Sequence, residues 1–317
     1  MRDPRHLMPS EPGPGHRTAA PVPADPRDPA AVFAAHRDIL AGVAYRILGQ
    51  VADAEDVVQD AWLRWSGVDG DDVRDPRAFL VRVTTRLAID RLRRRKARRE
   101  EYVGAWLPEP IPTGGSSGDV SDQVVLAESV SMALLVVLET MSPLERAVFV
   151  LHEGFGFSHA EIAEAVDRSE TAVRQLARRA RDHVREGRPR FDPDPVTHRH
   201  VTQRFLAATV SGDLAALMQV LAPGVELIAD GGGQVRAPLL PVRGIERVTR
   251  FLIAVAGRAT PDQHASLVDL NGRAAIVVWS GSTVAAVLAV DVVDGRIERI
   301  YLVANPAKLA LLRPPSS

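Results

Sequence analysis

Apolar residues in the first hundred positions recur every three to four residues, which is the spacing of one face of an α-helix. The spacing predicts helices over 29–48 and 53–65, with Gly49 ending the first of them. A third helix opens at Pro76, because proline is favoured in the first turn of a helix, and it continues into a run of basic residues. We therefore expect an all-α domain over residues 30–99.

A second block with helical spacing covers residues 122–190 and begins with a long apolar helix predicted over 124–139. Ser158 and Glu161 have the spacing of a capping box, in which each side chain satisfies a backbone amide of the other residue. After a short turn, Ser169 can cap a longer, arginine-rich helix. These elements form a helix-turn-helix pattern, so we expect a second all-α domain here.

The pattern changes after residue 196, where two helices predicted over 200–210 and 212–222 lead into short apolar runs. These runs predict strands over 225–229, 264–270, 273–280, 283–290 and 296–303. Helices followed by an antiparallel meander indicate an α+β domain, which we place at 196–312.

Two dipeptides separate pairs of these strands and favour tight hairpins. They are Asn271-Gly272 and Asp294-Gly295, in which both residues tolerate positive φ. Apolar and polar positions alternate poorly along the strands, so we expect the sheet to be curved or covered on both faces.

Two segments lack a helical or strand pattern. Residues 1–29 hold eight prolines and few apolar side chains, which predicts a disordered leader. Residues 100–121 hold three prolines and a Gly/Ser run, which predicts a linker between the two helical domains.

The composition excludes several classes of protein. The chain has no cysteine, so disulfides, thiolate metal sites and cysteine nucleophiles are excluded, and we expect neither a metal ion nor a cofactor. No apolar run reaches the length of a membrane span, and the N-terminus has no apolar signal core. We expect a cytoplasmic, multi-domain protein.

The formal net charge of −1 hides charge blocks of opposite sign. Residues 82–99 hold nine Arg or Lys against one acid, and residues 168–190 hold eight Arg against three acids. Residues 53–75 hold eight acids against two Arg. The two basic blocks predict contact with nucleic acid, whose phosphates attract such clusters.

We assign the predicted nucleic-acid contacts to two helices. In the third helix they are Arg82, Arg86, Arg91, Arg93, Arg94 and Arg95. In the helix-turn-helix they are Arg168, Ser169, Glu170, Thr171, Arg174, Gln175, Arg178 and Arg179. The residues expected to reach base edges lie on the exposed side at the start of the second helix: Glu170, Thr171, Arg174, Gln175 and Arg178. Arg and Gln among them can bond base edges in the major groove, while Arg168, Arg179 and Arg181 are expected to bind phosphates.

The acidic helix over 53–65 cannot itself favour DNA. Its charge has two explanations that the residues leave open, a protein partner with a basic surface or solubility alone.

Two parts of the chain resemble a known family. The stretch DAEDVVQDAWLR at 53–64, followed by RAFL…LAIDRLRR at 77–94, resembles region 2 of bacterial sigma-70 factors of the extracytoplasmic-function type. Residues 142–186 resemble region 4 of the same factors.

Three further motifs look like the SigJ-type subgroup, which has a SnoaL-like C-terminal extension. They are WLPEP at 106–110, DGGG at 230–233 and NPAKL at 305–309. The implied fold is multidomain, with two all-α domains (region 2 and the region 4 helix-turn-helix) followed by an α+β SnoaL-like, cone-shaped barrel domain.

The resemblance implies an RNA polymerase sigma factor that directs promoter-specific initiation. Its core-binding residues would lie on the acidic helix and contact the β′ clamp helices; they are Asp53, Asp56, Val57, Gln59 and Asp60. Helix 77–95 and loop 66–75 would engage the −10 element, and the helix-turn-helix would read the −35 element. The region 4 block would also contact the β flap.

Two positions depart from the family pattern. Arg86 stands where many relatives carry Asn, and Ala307 stands where an acid is common.

The resemblance further implies a regulatory C-terminal domain that grips the linker. The residues implied are Trp106, Leu107, Pro108, Asp230, Gly231, Gly232, Gly233, Asn305 and Pro306. The three glycines would permit close backbone approach.

Two alternatives compete with this interpretation. SnoaL-like folds include cyclases, so the C-terminal domain could be an enzyme or a small-molecule-binding module that uses Asp230, His264, Asp269 and Asp291. The helix-turn-helix alone would also suit a plain repressor, which leaves the acidic helix unexplained. We favour a factor that is not an enzyme.

Overall fold

A computed structural model describes five stretches of the chain: 28–68, 73–98, 102–113, 130–187 and 194–312. Almost all of the predicted leader lies outside them. So do the middle of the loop predicted over 66–75 and the first part of the helix predicted over 124–139.

Three helices form the first bundle. They are α1 (Pro29–Leu48), α2 (Val51–Trp65) and α3 (Pro76–Arg98). Gly49 ends α1 in the left-handed conformation at φ 72°, as predicted, because glycine adopts this conformation without strain.

The second bundle contains four helices and one π-helical turn. They are α4 (Met132–Thr140), α5 (Pro143–Phe149), the π turn Val150–Gly154, α6 (His159–Val166) and α7 (Glu170–Gly187). The apolar helix predicted over 124–139 is corrected, because Ser131 is extended and its hydroxyl caps the Leu134 amide, so the helix starts at Met132.

Local capping confirms the helix-turn-helix prediction. The Ser158 hydroxyl accepts the Glu161 amide at 3.2 Å, and the Glu161 carboxylate accepts the Ser158 amide at 2.7 Å. The Ser169 hydroxyl accepts the Ala172 amide at 3.2 Å at the start of α7.

The two bundles share one hydrophobic core, to which Leu40, Trp65, Leu135 and Val148 all belong. A polar tie crosses the same boundary at Arg146, which is fully buried. Its Nε donates to the Arg46 carbonyl at 3.0 Å, and its Nη1 lies 2.7 Å from Glu139 Oε1. Regions expected to be separate domains therefore pack directly on each other.

The C-terminal domain has three helices and a six-stranded sheet. The helices are α8 (Pro195–Ser211), α9 (Leu214–Val220) and α10 (Ile245–Ala256). The strands are β1 (Leu221–Asp230), β2 (Val242–Arg243), β3 (Gln263–Leu270), β4 (Arg273–Ser280), β5 (Thr283–Val293) and β6 (Arg296–Val303). Their order is β2-β1-β6-β5-β4-β3, with β1 parallel to β6 and the other pairs antiparallel.

Both predicted hairpin turns are present. Asn271 and Gly272 have φ 51° and 72°, and Asp294 and Gly295 have φ 50° and 73°. The helix predicted over 212–222 ends earlier, at Val220, because Leu221 joins the β1–β6 ladder opposite Ile297.

Apolar side chains cover both faces of the sheet, which confirms the expectation drawn from its poor alternation. On one face, Ile276 and Ile300 lie in a core with Phe205 of α8 and Leu252 of α10. The other face belongs to a separate core, which contains Val277, Tyr301 and Val303 of the sheet together with Leu107 of the linker and Met132 of α4. The linker and the second bundle therefore pack on the sheet.

Candidate nucleic-acid and polymerase interfaces

Helix α7 presents a polar ridge to solvent. The five side chains predicted to reach base edges are all exposed: Glu170, Thr171, Arg174, Gln175 and Arg178. The opposite face is buried and consists of Val173, Leu176, Ala177, Ala180 and Val184. Arg174 Nη2 lies 2.5 Å from Glu170 Oε1, one helical turn away, so this arginine is held on the ridge.

The flanking residues predicted to grip phosphates are also on the surface. Arg168 and Arg179 are exposed, and Arg179 lies 3.8 Å from Glu145. Ser169 is exposed too, but its hydroxyl is already used as the cap of α7. The helix-turn-helix thus brings its predicted contact residues together on one side.

In the third helix, α3, the predicted residues differ in their exposure and in their partners. Arg93 and Arg94 are exposed, while Arg82 is half-buried with its guanidinium 5.4 Å from the Phe79 ring. Arg86 donates to the last carbonyls of α6, at 2.9 Å to Ala165 and 3.0 Å to Glu164. Arg86, one of the two positions that depart from the family pattern, therefore binds the second bundle.

The acidic and basic blocks meet between α2 and α3. Arg91 Nε lies 2.7 Å from Asp53 Oδ1, and its Nη2 lies 2.5 Å from Asp56 Oδ2. Arg95 Nη1 lies 3.3 Å from Asp53 Oδ2, and its Nη2 lies 3.6 Å from Glu139 of α4. Two residues predicted to bind DNA thus neutralise two predicted to bind the polymerase.

The outward face of α2 carries Asp56, Gln59 and Asp60, all exposed. Val57 does not belong to this face and is corrected, because only 1% of it is exposed and its side chain lies in the core. The sequence reasoning missed Leu63, which is 61% exposed and follows Gln59 by four residues, on the same face. The available signal in the sequence was the helical spacing, which places Leu63 next to Gln59 and Asp60 and away from the apolar positions.

Asp230 is the centre of the contact between the C-terminal domain and the linker. Its buried carboxylate accepts Tyr102 Oη at 2.5 Å, the Leu107 amide at 2.9 Å and the Gly232 amide at 3.0 Å. It also lies 2.6 Å from the buried ammonium of Lys308. A buried carboxylate with this set of partners is fully satisfied.

Lys308 ties the same linker segment from the other side. Its Nζ donates to the Leu107 carbonyl at 2.5 Å and lies 3.4 Å from the centre of a Trp106 ring, within the range of a cation–π contact. The sequence reasoning missed both Lys308 and Tyr102. Lys308 is one of two lysines among 39 basic residues, which was an available signal.

The first two glycines of the run leave no room for a Cβ, although the nearest atoms are those of their own loop and of Asn305 and not the linker backbone. A Cβ on Gly231 would lie 2.3 Å from the Val235 carbonyl oxygen, and one on Gly232 would lie 2.5 Å from Asn305 Cγ. Gly233 has φ 71° and lies near Val103.

The other predicted interdomain residues differ in their surroundings. Asn305 is buried and donates to Tyr102 Oη at 3.0 Å, whereas Pro306 is exposed and opens a short 3₁₀ turn, Pro306–Lys308. Pro108 is buried close to Gly49.

A second contact of the linker lies at the tip of the β3–β4 hairpin. Asn271 exchanges bonds with Ile111, its amide donating at 2.9 Å and its Oδ1 accepting at 3.1 Å. Its Nδ2 donates to Tyr45 Oη at 2.9 Å, and Tyr45 donates to the Glu109 carbonyl at 3.1 Å. Helix α1, the linker and the C-terminal domain therefore meet here. The sequence predicts the turn at Asn271 but not the contacts that Asn271 makes.

Glu109 connects that contact to the start of α2. Its Oε2 accepts the Val51 amide at 2.9 Å, at a helix end where Gln50 supplies no cap. Only 5% of Glu109 is exposed, and burial raises the pKa of its carboxyl to about 7, partly offset by the hydrogen bond from Val51 and by Lys308.

The four candidate catalytic residues each have a separate partner. Asp230 binds Lys308, and exposed Asp269 lies 3.1 Å from Arg199. Buried Asp291 accepts Tyr301 Oη at 2.9 Å, and exposed His264 stacks on the Trp279 ring. Among the described residues, no group of three His, Asp or Glu is placed to hold a metal ion. In the same part of the chain, no helix is long and apolar enough to cross a bilayer.

Comparisons with known proteins agree with this geometry. The sigma-70 region 2 family matches residues 32–98, and the sigma-70 region 4 family matches residues 131–184. The ECF RNA polymerase sigma factor SigJ of Mycobacterium tuberculosis (strain ATCC 25618 / H37Rv) is 41% identical over 288 residues, which cover 87% of this chain and 91% of that protein. The probable ECF RNA polymerase sigma factor SigI of the same strain is 35% identical over 287 residues, which cover 89% of this chain and 95% of that protein.

A solved structure extends the likeness to the C-terminal domain. The crystal structure of the Mycobacterium tuberculosis extracytoplasmic function sigma factor SigJ matches with a TM-score of 0.73 and 36% identity, over 90% of this chain and 100% of that chain. The resemblance to sigma factors and the predicted fold class are thereby confirmed. The chain belongs to the extracytoplasmic-function family of sigma-70 RNA polymerase sigma factors, in its form with a C-terminal α+β domain.

Proposed function

We propose that this sigma factor reads the −35 element with the exposed ridge of α7 and engages the −10 element with α3 and the loop before it. The outward face of α2 then binds the β′ clamp helices of the core polymerase, the second bundle contacts the β flap, and the factor acts in the cytoplasm. The observation that carries the proposal is the ridge of α7, where all five base-reading candidates are exposed and the opposite face is buried.

The observed arrangement suits a resting state. Elements at −35 and −10 are about 25 base pairs apart, or roughly 85 Å along duplex DNA at ~3.4 Å per base pair. Helix α3 instead contacts α6 directly through Arg86. Both elements cannot be bound at once in this arrangement, so we infer that the two bundles separate when the factor binds the polymerase.

The C-terminal domain would control that separation through the linker. Asp230 and Lys308 hold Leu107, while Asn271 holds Ile111, so the linker is fixed at two points four residues apart. A domain with this role need not be an enzyme. The candidate catalytic side chains are engaged in structural contacts, and no observation favours a catalytic reading.

Run-off transcription with core polymerase tests the proposal. Arg174→Ala should cost about 1–3 kcal/mol at one promoter position if the side chain reads a base. Arg185→Ala, which removes an exposed arginine near the end of α7, is the matched control. A uniform loss across all promoter sequences would make Arg174 a phosphate contact, and failure to initiate from any genomic fragment would refute the proposed function.

A further inference from the structure

The chain has two asparagines, and both lie where the C-terminal domain holds the linker. Asn271 is 2% exposed and Asn305 is 5% exposed. Each donates a side-chain N–H to a tyrosine hydroxyl, Asn271 to Tyr45 at 2.9 Å and Asn305 to Tyr102 at 3.0 Å. The two side chains therefore have closely similar surroundings.

The residue after each asparagine decides whether its side chain can react. A backbone nitrogen that carries a hydrogen can attack Cγ of the asparagine before it. The new N–Cγ bond closes a succinimide ring, and the side-chain nitrogen leaves as ammonia with the proton of the attacking N–H. Water then opens the ring at either carbonyl carbon, which yields aspartate or isoaspartate. Gly272 follows Asn271 and has both the hydrogen and the room for this reaction, whereas Pro306 follows Asn305 and has no N–H.

The linker holds the reacting groups of Asn271 and Gly272 in other bonds, which we call the hairpin contact. The Gly272 N–H donates to Thr113 Oγ1 at 2.8 Å. The Asn271 side chain is fixed at both ends, since its Oδ1 accepts the Ile111 amide and its Nδ2 donates to Tyr45. Because Gly272 must lose its proton and Cγ must turn towards its nitrogen, these bonds have to break before the ring can close.

We propose that Asn271 is a deamidation site that is protected while the linker is bound, and that its conversion after the linker leaves weakens the hairpin contact permanently. Aspartate cannot donate to Tyr45, and it would bury a second carboxyl in the contact that already buries Glu109. A buried polar group that loses its partner carries a free-energy cost. Isoaspartate adds one carbon to the main chain inside a tight two-residue turn.

Mass spectrometry of the full chain after incubation at mildly alkaline pH tests the protection. Water enriched in a heavy oxygen isotope marks the aspartate that forms during the incubation. Asn271 should convert about tenfold or more slowly in the native chain than in guanidinium chloride, because a bound segment opens only part of the time. The double variant Thr113→Ala/Tyr45→Phe should reduce that difference, and Asn305 should stay unconverted in every sample.

The other hairpin turn supplies a matched control. Asp294 and Gly295 have φ 50° and 73°, almost the same as 51° and 72° at Asn271 and Gly272, but Asp294 is exposed. Asp294→Asn therefore places an asparagine in the same turn geometry without the linker. In the native chain this asparagine should convert at nearly the rate of the unfolded chain.

Three results would overturn the protection by the linker. They are equal conversion of Asn271 in native and unfolded chains, no acceleration in the double variant, and conversion in Asp294→Asn as slow as that of native Asn271. The last of these would show that turn geometry alone protects. An Asn271 that stays intact in the unfolded chain would show that it is not a deamidation site.

Hydrogen exchange of the Ile111 amide tests the permanent weakening, because this amide donates to Asn271. Exchange should be faster in Asn271→Asp than in wild type. It should also be faster in wild-type chains that have converted during the incubation, which were folded beforehand and so exclude misfolding of the variant as the cause. Exchange equal to that of the unconverted chain in both samples would refute the weakening.

Discussion

Glu109 makes the stability of this protein depend on pH, and a single substitution should remove that dependence. The pKa of its carboxyl is raised from 4.5 to about 7 because the group is buried. The folded chain therefore holds a proton that the unfolded chain has lost between these two values, so its stability falls as pH rises from about 4.5 to about 7. Above pH 7 the cost is complete and stays constant.

The size of the effect follows from the shift. One pKa unit corresponds to about 1.4 kcal/mol, so ionised Glu109 costs roughly 3 kcal/mol of unfolding free energy relative to the protonated form. Glu109→Gln mimics the protonated form, since an amide oxygen can still accept the Val51 amide. We expect it to stabilise the protein by up to about 3 kcal/mol at pH 8.5 and to have little effect near pH 4.5.

Urea denaturation of both proteins across this pH range measures the difference, with Glu186→Gln as the control because that glutamate is exposed at the end of α7. An effect of Glu109→Gln that does not vary with pH, or a loss of stability at pH 8.5, would refute the reasoning. Glu109→Ala separates charge from capping, because it should lose about 1 kcal/mol through the missing cap even where the carboxyl is protonated.

Three further substitutions test the contacts of the linker and of α2. Asp230→Asn should destabilise the chain by about 3–5 kcal/mol in urea titrations, because it leaves the buried Lys308 ammonium uncompensated. Adding Lys308→Met should recover part of that loss, and no recovery would disprove the coupling between the two residues. Gly232→Ala should increase the reactivity of Lys308 towards amine-labelling reagents, since the new Cβ meets Asn305 and φ is 62°, and labelling equal to wild type would show that the linker contact survives. Leu63→Asp should weaken binding to core polymerase without lowering stability, and unchanged affinity would remove Leu63 from the interface.

Most helix ends and hairpin turns could be predicted from the sequence, because side chains a few residues apart determine them. Helix starts at Ser158 and Ser169, the end of α1 at Gly49 and the hairpins at Asn271 and Asp294 all follow from side chains a few residues apart. The residues predicted to reach base edges on α7 are all exposed for the same reason, because helical periodicity separates the exposed positions of this helix from its apolar ones.

Contacts between distant segments could not be predicted in this way. Arg86 and Glu164 are 78 residues apart, and Asn271 and Tyr45 are 226 residues apart, so no local pattern pairs them. Val57 shows a different error, because helical spacing places it with Val58 and Trp65 on the apolar face, where all three are buried, and only the family resemblance assigned it to the polymerase. The start of α4 was misplaced because an apolar run continues across the extended residue Ser131.

The pairing of α2 with α3 changes what the charge blocks mean. Taken separately, an acidic helix and a basic helix suggest two independent surfaces, one for the polymerase and one for DNA. Arg91 pairs with both Asp53 and Asp56, so the acidic helix and the basic helix partly neutralise each other where α2 and α3 meet. A polymerase surface that binds the two aspartates would leave Arg91 without its ion pairs. DNA that binds Arg91 would in turn leave the two aspartates unpaired. Linkage requires the two effects to be equal in free energy, so polymerase and −10 DNA would each increase affinity for the other. The two surfaces are thus coupled by ion pairs that each proposed partner would break, and this coupling is compatible with strong binding to each.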